Sequence, residues 1–172
     1  MKKFELTAES KINIFGKKLF RIKALISFGN VGEGETGGWI EKEENLEQSS
    51  GDAWVYGDAE VSGDARVSGD AEVSGNARVS GNARVYGNAE VSGNARVSGD
   101  ADYTTIHGFG TQFRTTTFFR CKDKQIRVSC GCFFGTISEF REQVKNTRKG
   151  KIAEEYLMIA DLMEKHFAEE AK

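Results

Sequence analysis

The sequence predicts a mainly β fold: a short three-coil parallel β-helix, capped by an N-terminal strand and hairpin module and followed by a C-terminal β-hairpin with two helices. Three observations carry that reading. Residues 51–104 are nine consecutive hexads, Gly-Asp/Asn-Ala-x-Val-Ser/Tyr, running from GDAWVY to GDADYT and broken only in that last copy. A six-residue period with two apolar positions two apart marks a chain that coils and stacks on itself. Proline is absent from all 172 residues, which suits a chain committed to ladder hydrogen bonds. Beyond the hexads, a capping box at Thr136–Glu139 opens a helical stretch. The expected modules are 1–50, 51–104 and 105–172.

In the first module, residues 2–6 (KFELT) read as a strand and residues 13–25 as a hairpin around Gly16-Lys17. The loop NVGEGETGG lacks the Lys-Ser/Thr ending of a P-loop and any helical pattern after it, so phosphate cradling is not expected there. Residues 37–48 bring Trp39 and Ile40 against the first coil. Leu46 is a degenerate aliphatic of the repeat.

Within each hexad, strand alternation turns Ala and Val inward and the two flanking positions outward. Gly and Asp/Asn form the corner, as residues that tolerate positive φ. Three sides close a coil of eighteen residues, and nine hexads give three coils. At strand spacing the stack is roughly 14 Å tall. Counting by eighteen predicts three inward ladders: Val55, Val73, Val91; Val61, Val79, Val97; and Val67, Val85, Tyr103, with Tyr103 plugging the end. The corner ladder Asp58, Asn76, Asn94 is expected to pass amide hydrogen bonds between coils. The order Val-x-x-x-Ala-x resembles the hexapeptide repeat of left-handed parallel β-helices, and that resemblance implies a left-handed coil.

Outward, one side carries Trp54, Glu72 and Glu90 with Tyr56. A second carries Glu60, Arg78 and Arg96. The third carries Arg66, Arg84 and Asp102 with Tyr86. Cross-strand Glu–Arg pairs on such a solvated surface contribute up to about 1 kcal/mol each. The sharper reading rests on Arg66 directly below Arg84 with Tyr86 alongside. Two stacked guanidiniums repel unless an anion or carboxylate lies between them, and beside an aromatic ring they suit a phosphate and a base. Arg66, Arg84 and Tyr86, with Arg78 and Arg96, are the ligand-binding candidates.

After the repeat, a polar loop surrounds His107, Phe109, Gly108 and Gly110. Segments 112–121 and 125–133 pair as a hairpin across Lys122-Asp123-Lys124. The capping box opens a helix over 137–147, Gly150 ends that segment, and a second helix runs over about 152–169. Its broad apolar face, with Tyr156, Ile159, Ala160, Met163 and Phe167, is expected to pack on the hairpin.

The charge balance, 24 basic against 26 acidic residues, steers the chain toward neither nucleic acid nor membrane. No apolar run is long enough to span a bilayer and no signal core is present, so a soluble, cytoplasmic protein is expected. Cys121, Cys130 and Cys132 make an odd count, against a secreted disulfide scaffold. With His107 they could offer zinc four ligands. Alternation instead places Cys130 and Cys132 on one strand face as small apolar residues, so core packing is the expectation. No cofactor is expected.

Hexapeptide-repeat acyltransferases keep a catalytic histidine at their coils, and γ-class carbonic anhydrases bind zinc through three. Residues 51–104 contain no histidine, and the chain has only His107 and His166. An enzyme is therefore not expected, with an acyltransferase using His107 as the rival.

The motifs GGWIEKEENL (37–46) and CGCFFGTISEFREQV (130–144) flank the hexads. With them, nearly the whole chain resembles a group of bacteriophage and prophage proteins with variable numbers of such repeats. The resemblance implies a small phage-encoded binding protein in the host cytoplasm. Together with the Arg66/Arg84/Tyr86 surface it leads to the expectation of counter-defence, by sequestering a nucleotide-like immune signal or blocking a host defence protein. A virion or assembly component using the β-helix as a spacer is the alternative. Proteins with this helix often form trimers, and Trp54 and Tyr56 are the candidate contact residues.

Overall fold

Val55 pairs with Val73, and Val73 with Val91, across parallel strands eighteen residues apart. The same interval joins Val61, Val79 and Val97, and joins Val67 to Val85. The repeat therefore closes as a three-sided parallel β-solenoid of about three turns. The computed structural model describes residues 2–168. It divides into a unit ending at Asp100 and a second beginning at Ala101. The N-terminal module and the coils thus belong to one unit.

That unit begins with β1 (Phe4–Ile12), β2 (Lys18–Ala24) and β3 (Thr36–Ile40), followed by a 3₁₀ turn at Glu43–Asn45. Eight two-residue strands follow: β4 (Trp54–Val55), β5 (Glu60–Val61), β6 (Arg66–Val67), β7 (Glu72–Val73), β8 (Arg78–Val79), β9 (Arg84–Val85), β10 (Glu90–Val91) and β11 (Arg96–Val97). The strands form three sheets, one per side of the coil: β4-β7-β10, β6-β9, and β1-β2-β3-β5-β8-β11. Every inward Ala and Val from Ala53 to Val97 is buried. Each corner glycine from Gly51 to Gly93 has positive φ, between 58° and 69°. The Asp/Asn beside it does not, so the left-handed bend belongs to glycine alone. Gly99 lacks the positive φ, and there the chain leaves the coil for a 3₁₀ turn at Asp100–Asp102.

β3 pairs antiparallel with β2 and parallel with β5, so it converts a meander into the first side of the solenoid. Ile40 stands in register with Val61, and Leu46 bridges Val67, each twenty-one residues earlier. The N-terminal module therefore supplies a partial coil. Its hairpin pairs β1 with β2 around Asn13–Lys17, so the first arm is longer than residues 2–6. The arm ELTAESKI hides in sequence because most of it is solvent-facing and lacks apolar alternation.

The backbone bonds give the stack a direction. Each coil donates N–H to the coil that follows: Trp54 N to Ala71 O at 3.0 Å, Glu60 N to Ala77 O at 2.9 Å and Arg66 N to Ala83 O at 2.9 Å. The first coil consequently offers carbonyls at its free edge, and buried carbonyls demand donors. Backbone donors come from Trp39 to Ala59 O, Glu41 to Val61 O and Glu47 to Val67 O. Side chains serve the corners. Lys3 Nζ donates to Ala53 O at 3.1 Å, Arg21 Nη1 to Gly57 O at 2.8 Å, and Asn45 Nδ2 to Gly63 O at 3.1 Å and Ala65 O at 2.8 Å. At the opposite edge the orphan group is an N–H. Arg84 N donates to Asp100 Oδ1 at 2.9 Å.

The second unit holds β12 (Tyr103–Phe109), β13 (Arg114–Arg120), β14 (Ile126–Cys130) and β15 (Phe133–Thr136) in one antiparallel sheet, in that order. The hairpin of 112–121 with 125–133 is present, with Phe118 opposite Val128. The sheet adds β12 and β15 to it. Tyr103 pairs with Phe119 in this sheet, which corrects its place in the third coil ladder. Helices α1 (Ile137–Thr147) and α2 (Gly150–Phe167) follow. Thr136 Oγ1 accepts from Glu139 N, and Glu139 Oε2 accepts from Thr136 N at 2.7 Å, completing the capping box. The predicted face of α2 packs with Phe118, Val128, Phe140 and Val144 into one core. Arg141 ties the helices through Asp161 and Glu164.

Candidate functional site

Parallel pairing of β6 with β9 stacks Arg66 against Arg84, and Tyr86 lies beyond Val85 on the same side. Tyr86 is 62% exposed, the most open aromatic of the solenoid. These three residues share one open groove of about 770 Å³ with Glu43, Glu44, Glu47 and Asp100. The acidic residues come from the partial coil and the coil exit. Leu46 in register with Val67 brings that partial coil alongside β6, where the 3₁₀ turn presents Glu43 and Glu44. Leu46 already stood out as a degenerate repeat position, so its register was the signal that could have found them.

Most of these carboxylates have partners. Lys2 Nζ lies 2.8 Å from Glu43. Ser49 hydrogen-bonds hold the Glu47 carboxyl below its ordinary range. Asp100 accepts from Arg84 N. Glu44 is exposed and makes no ion pair among the described residues, and neither does Arg66. The groove thus brings two guanidiniums and a phenol together with four carboxylates.

Arg78 and Arg96 lie on another side of the coil and do not join this groove. Arg78 Nε sits 3.0 Å from Glu60 Oε2, and Lys11 Nζ 2.8 Å from Glu60 Oε1. Arg96 Nη1 donates to backbone carbonyls, Ala95 O at 2.7 Å and Asn76 O at 2.9 Å. Their guanidiniums knit the coil surface. The expected Asn76–Asn94 amide ladder is absent among the described residues; the corner bond is Asn76 N to Gly93 O.

Trp54 is fully buried, which corrects its assignment as an outward contact residue. Its indole meets Phe28 and Phe4 edge-on, at 5.4 and 6.2 Å between ring centroids. The first coil has no preceding strand on this side, so the N-terminal module folds over the exposed position instead. Tyr56 is half-buried, and burial pushes its phenol up to about 12. Nearby Glu72 stacks on Glu90, and burial, then the Glu90 charge, raises the Glu72 carboxyl.

In the second unit, Cys121 is buried, Cys130 half-buried and Cys132 exposed. Gly131 and Cys132 form the two-residue turn between β14 and β15, with φ +60° at Gly131. Cys132 therefore leaves the strand, correcting its expected place in the core. Thr116 Oγ1 donates to Cys130 Sγ at 3.1 Å. His107 is exposed beside Thr115 Oγ1. Among the described residues no three His, Cys, Asp or Glu side chains gather as a metal site requires. No described helix is long and apolar enough to cross a membrane.

Residues 71–87 and 77–91 match the model of the YdcK β-solenoid repeat. No curated protein matches the chain. The coils are a β-solenoid repeat similar to that of YdcK.

Proposed function

We propose that this is a non-enzymatic binding protein of phage origin that acts in the host cytoplasm and sequesters a nucleotide-like signal of host defence. The observation that supports the reading is the juxtaposition of Arg66, Arg84 and Tyr86 in one groove. The two stacked guanidiniums offer donors to a phosphate, and the phenol ring offers a face to a base. Glu44 would accept from ribose hydroxyls or a base amino group. The resemblance of the motifs at 37–46 and 130–144 to those of phage and prophage proteins supports the biological setting. Assembly into trimers would wall the groove with a second chain. Calorimetric titration of a panel of mono- and cyclic dinucleotides tests the reading. Binding by the wild type and its loss in Arg66→Glu/Arg84→Glu support it. Equal binding, or none by either protein, refutes it.

A second reading, obstruction of a host defence protein, is favoured by the β1–β2 hairpin tip. Ile12, Ile14 and Phe15 are 65%, 70% and 62% exposed there. Isolated apolar side chains are ordinary on a surface, but three at one tip suit a protein contact. Under this reading Ile14→Ser/Phe15→Ser abolishes host-protein capture, while the arginine pair does not matter.

A further inference from the structure

The second unit contains a pocket that differs in chemistry from the groove on the coils. It holds about 200 Å³ between the sheet and the two helices. Arg114 and Arg148 line it, and no carboxylate does. Neither arginine makes an ion pair among the described residues; the Arg148 guanidinium donates to the neighbouring Thr147 O at 3.3 Å. Guanidiniums that line a pocket with no carboxylate among them suit an anion. Phe109, Phe133, Phe140 and Val144 give the lining an apolar part.

Local packing keeps the pocket open. Gly110 and Gly131 both have positive φ, and a Cβ at either would collide, with the Tyr156 hydroxyl and the Arg114 guanidinium respectively. Tyr156 Oη donates to Phe109 O at 3.2 Å, which pins the β12 end of the wall to α2. Phe140 stands perpendicular to Tyr156 with centroids 5.7 Å apart, fixing the floor. A cavity of about 150 Å³ already admits a benzene ring. The space here suits one ring with a small acidic group, and the lining supplies both apolar side chains and guanidiniums.

We infer that this pocket binds a small organic anion, a carboxylate or phosphate ester with a planar apolar body, its acid group on Arg114 and Arg148 and its ring against Phe133 and Phe140. The site lies within the second unit and is independent of the coil groove. Cys132 lines the pocket and is exposed, so it reports occupancy.

The test uses the full chain with phenyl phosphate, benzoate and neutral benzyl alcohol as probes. Affinities come from ligand-observed NMR, and Cys132 alkylation by iodoacetamide is followed by mass spectrometry. Phenyl phosphate or benzoate should bind and slow alkylation, and benzyl alcohol should do so at least about tenfold more weakly, as loss of a charge-assisted contact implies. Arg114→Gln/Arg148→Gln should abolish the difference between charged and neutral probes. Both positions are exposed, and the unaltered circular dichroism expected of the variant checks its fold. Failure of both anions to bind the wild type overturns the inference. So does protection that persists unchanged in the variant, or that benzyl alcohol matches.

Discussion

The fully buried carboxamide of Asn45 donates to the carbonyl of Ala65 at 2.8 Å, the role that the backbone N–H of Arg66 plays for Ala83 O in the next coil. The side chain substitutes for a strand that the partial coil does not have. This follows from the direction of the ladder, because the first edge offers only acceptors.

Asn45→Ala should lower stability by about 1–3 kcal/mol, the cost of leaving buried carbonyls without a donor. Asn45→Asp should cost more at neutral pH, since it sets a carboxylate against two carbonyls. That variant's folded-state pKa would lie above the unfolded value of ~3.9. Its penalty is then complete above the folded pKa and shrinks as pH falls through it, when the protonated carboxyl can donate. Urea midpoints of both variants across pH, each read against wild type, check the order and its reversal.

Corner glycines should divide by what lies above them. Gly57 and Gly81 share a positive φ, but a Cβ at Gly57 meets nothing and one at Gly81 collides with Ser98 O. Gly57→Ala should cost about 1–2 kcal/mol, the left-handed strain alone. Gly81→Ala should cost clearly more, because backbone must move. Paired thermal melts decide this.

Trp54→Ala should remove about 3–5 kcal/mol, as deletion of a buried aromatic does. Oligomeric state, read by light scattering at temperatures where the variant stays folded, should be the wild type's. A changed subunit count there would restore Trp54 to a contact role.

Glu72→Gln should stabilise the protein by about 0.2–1 kcal/mol at neutral pH by ending a stacked like-charge pair. The Glu72 carboxyl is raised in the folded state by burial and by Glu90. The wild type therefore binds the proton more readily when folded, and its deficit relative to the variant vanishes as pH falls below the ordinary glutamate value. Added salt should shrink the gain. Differential melting across pH measures both effects.

Much of the solenoid was legible because its chemistry repeats. Val55, Val73 and Val91 announce their ladder by spacing alone. What escaped were contacts between unlike segments. Trp54 looks outward by alternation, and the N-terminal module, with Phe4, Phe28 and Gly37 against the indole, makes it core. Cys132 alternates with Cys130 in sequence, but the Gly131 turn ends the strand between them. At the groove, Arg66, Arg84 and Tyr86 were readable from the eighteen-residue count. Glu43, Glu44 and Glu47 were not, because a connection three residues longer than the regular repeat shifts their register.

Native mass spectrometry of the protein recovered from phage-infected cells tests the central proposal most directly. The account predicts a wild-type assembly that retains a phosphate-bearing small molecule, and an Arg66→Glu/Arg84→Glu assembly of the same subunit count without it. Identical masses for the two proteins, beyond the substitutions themselves, would contradict it.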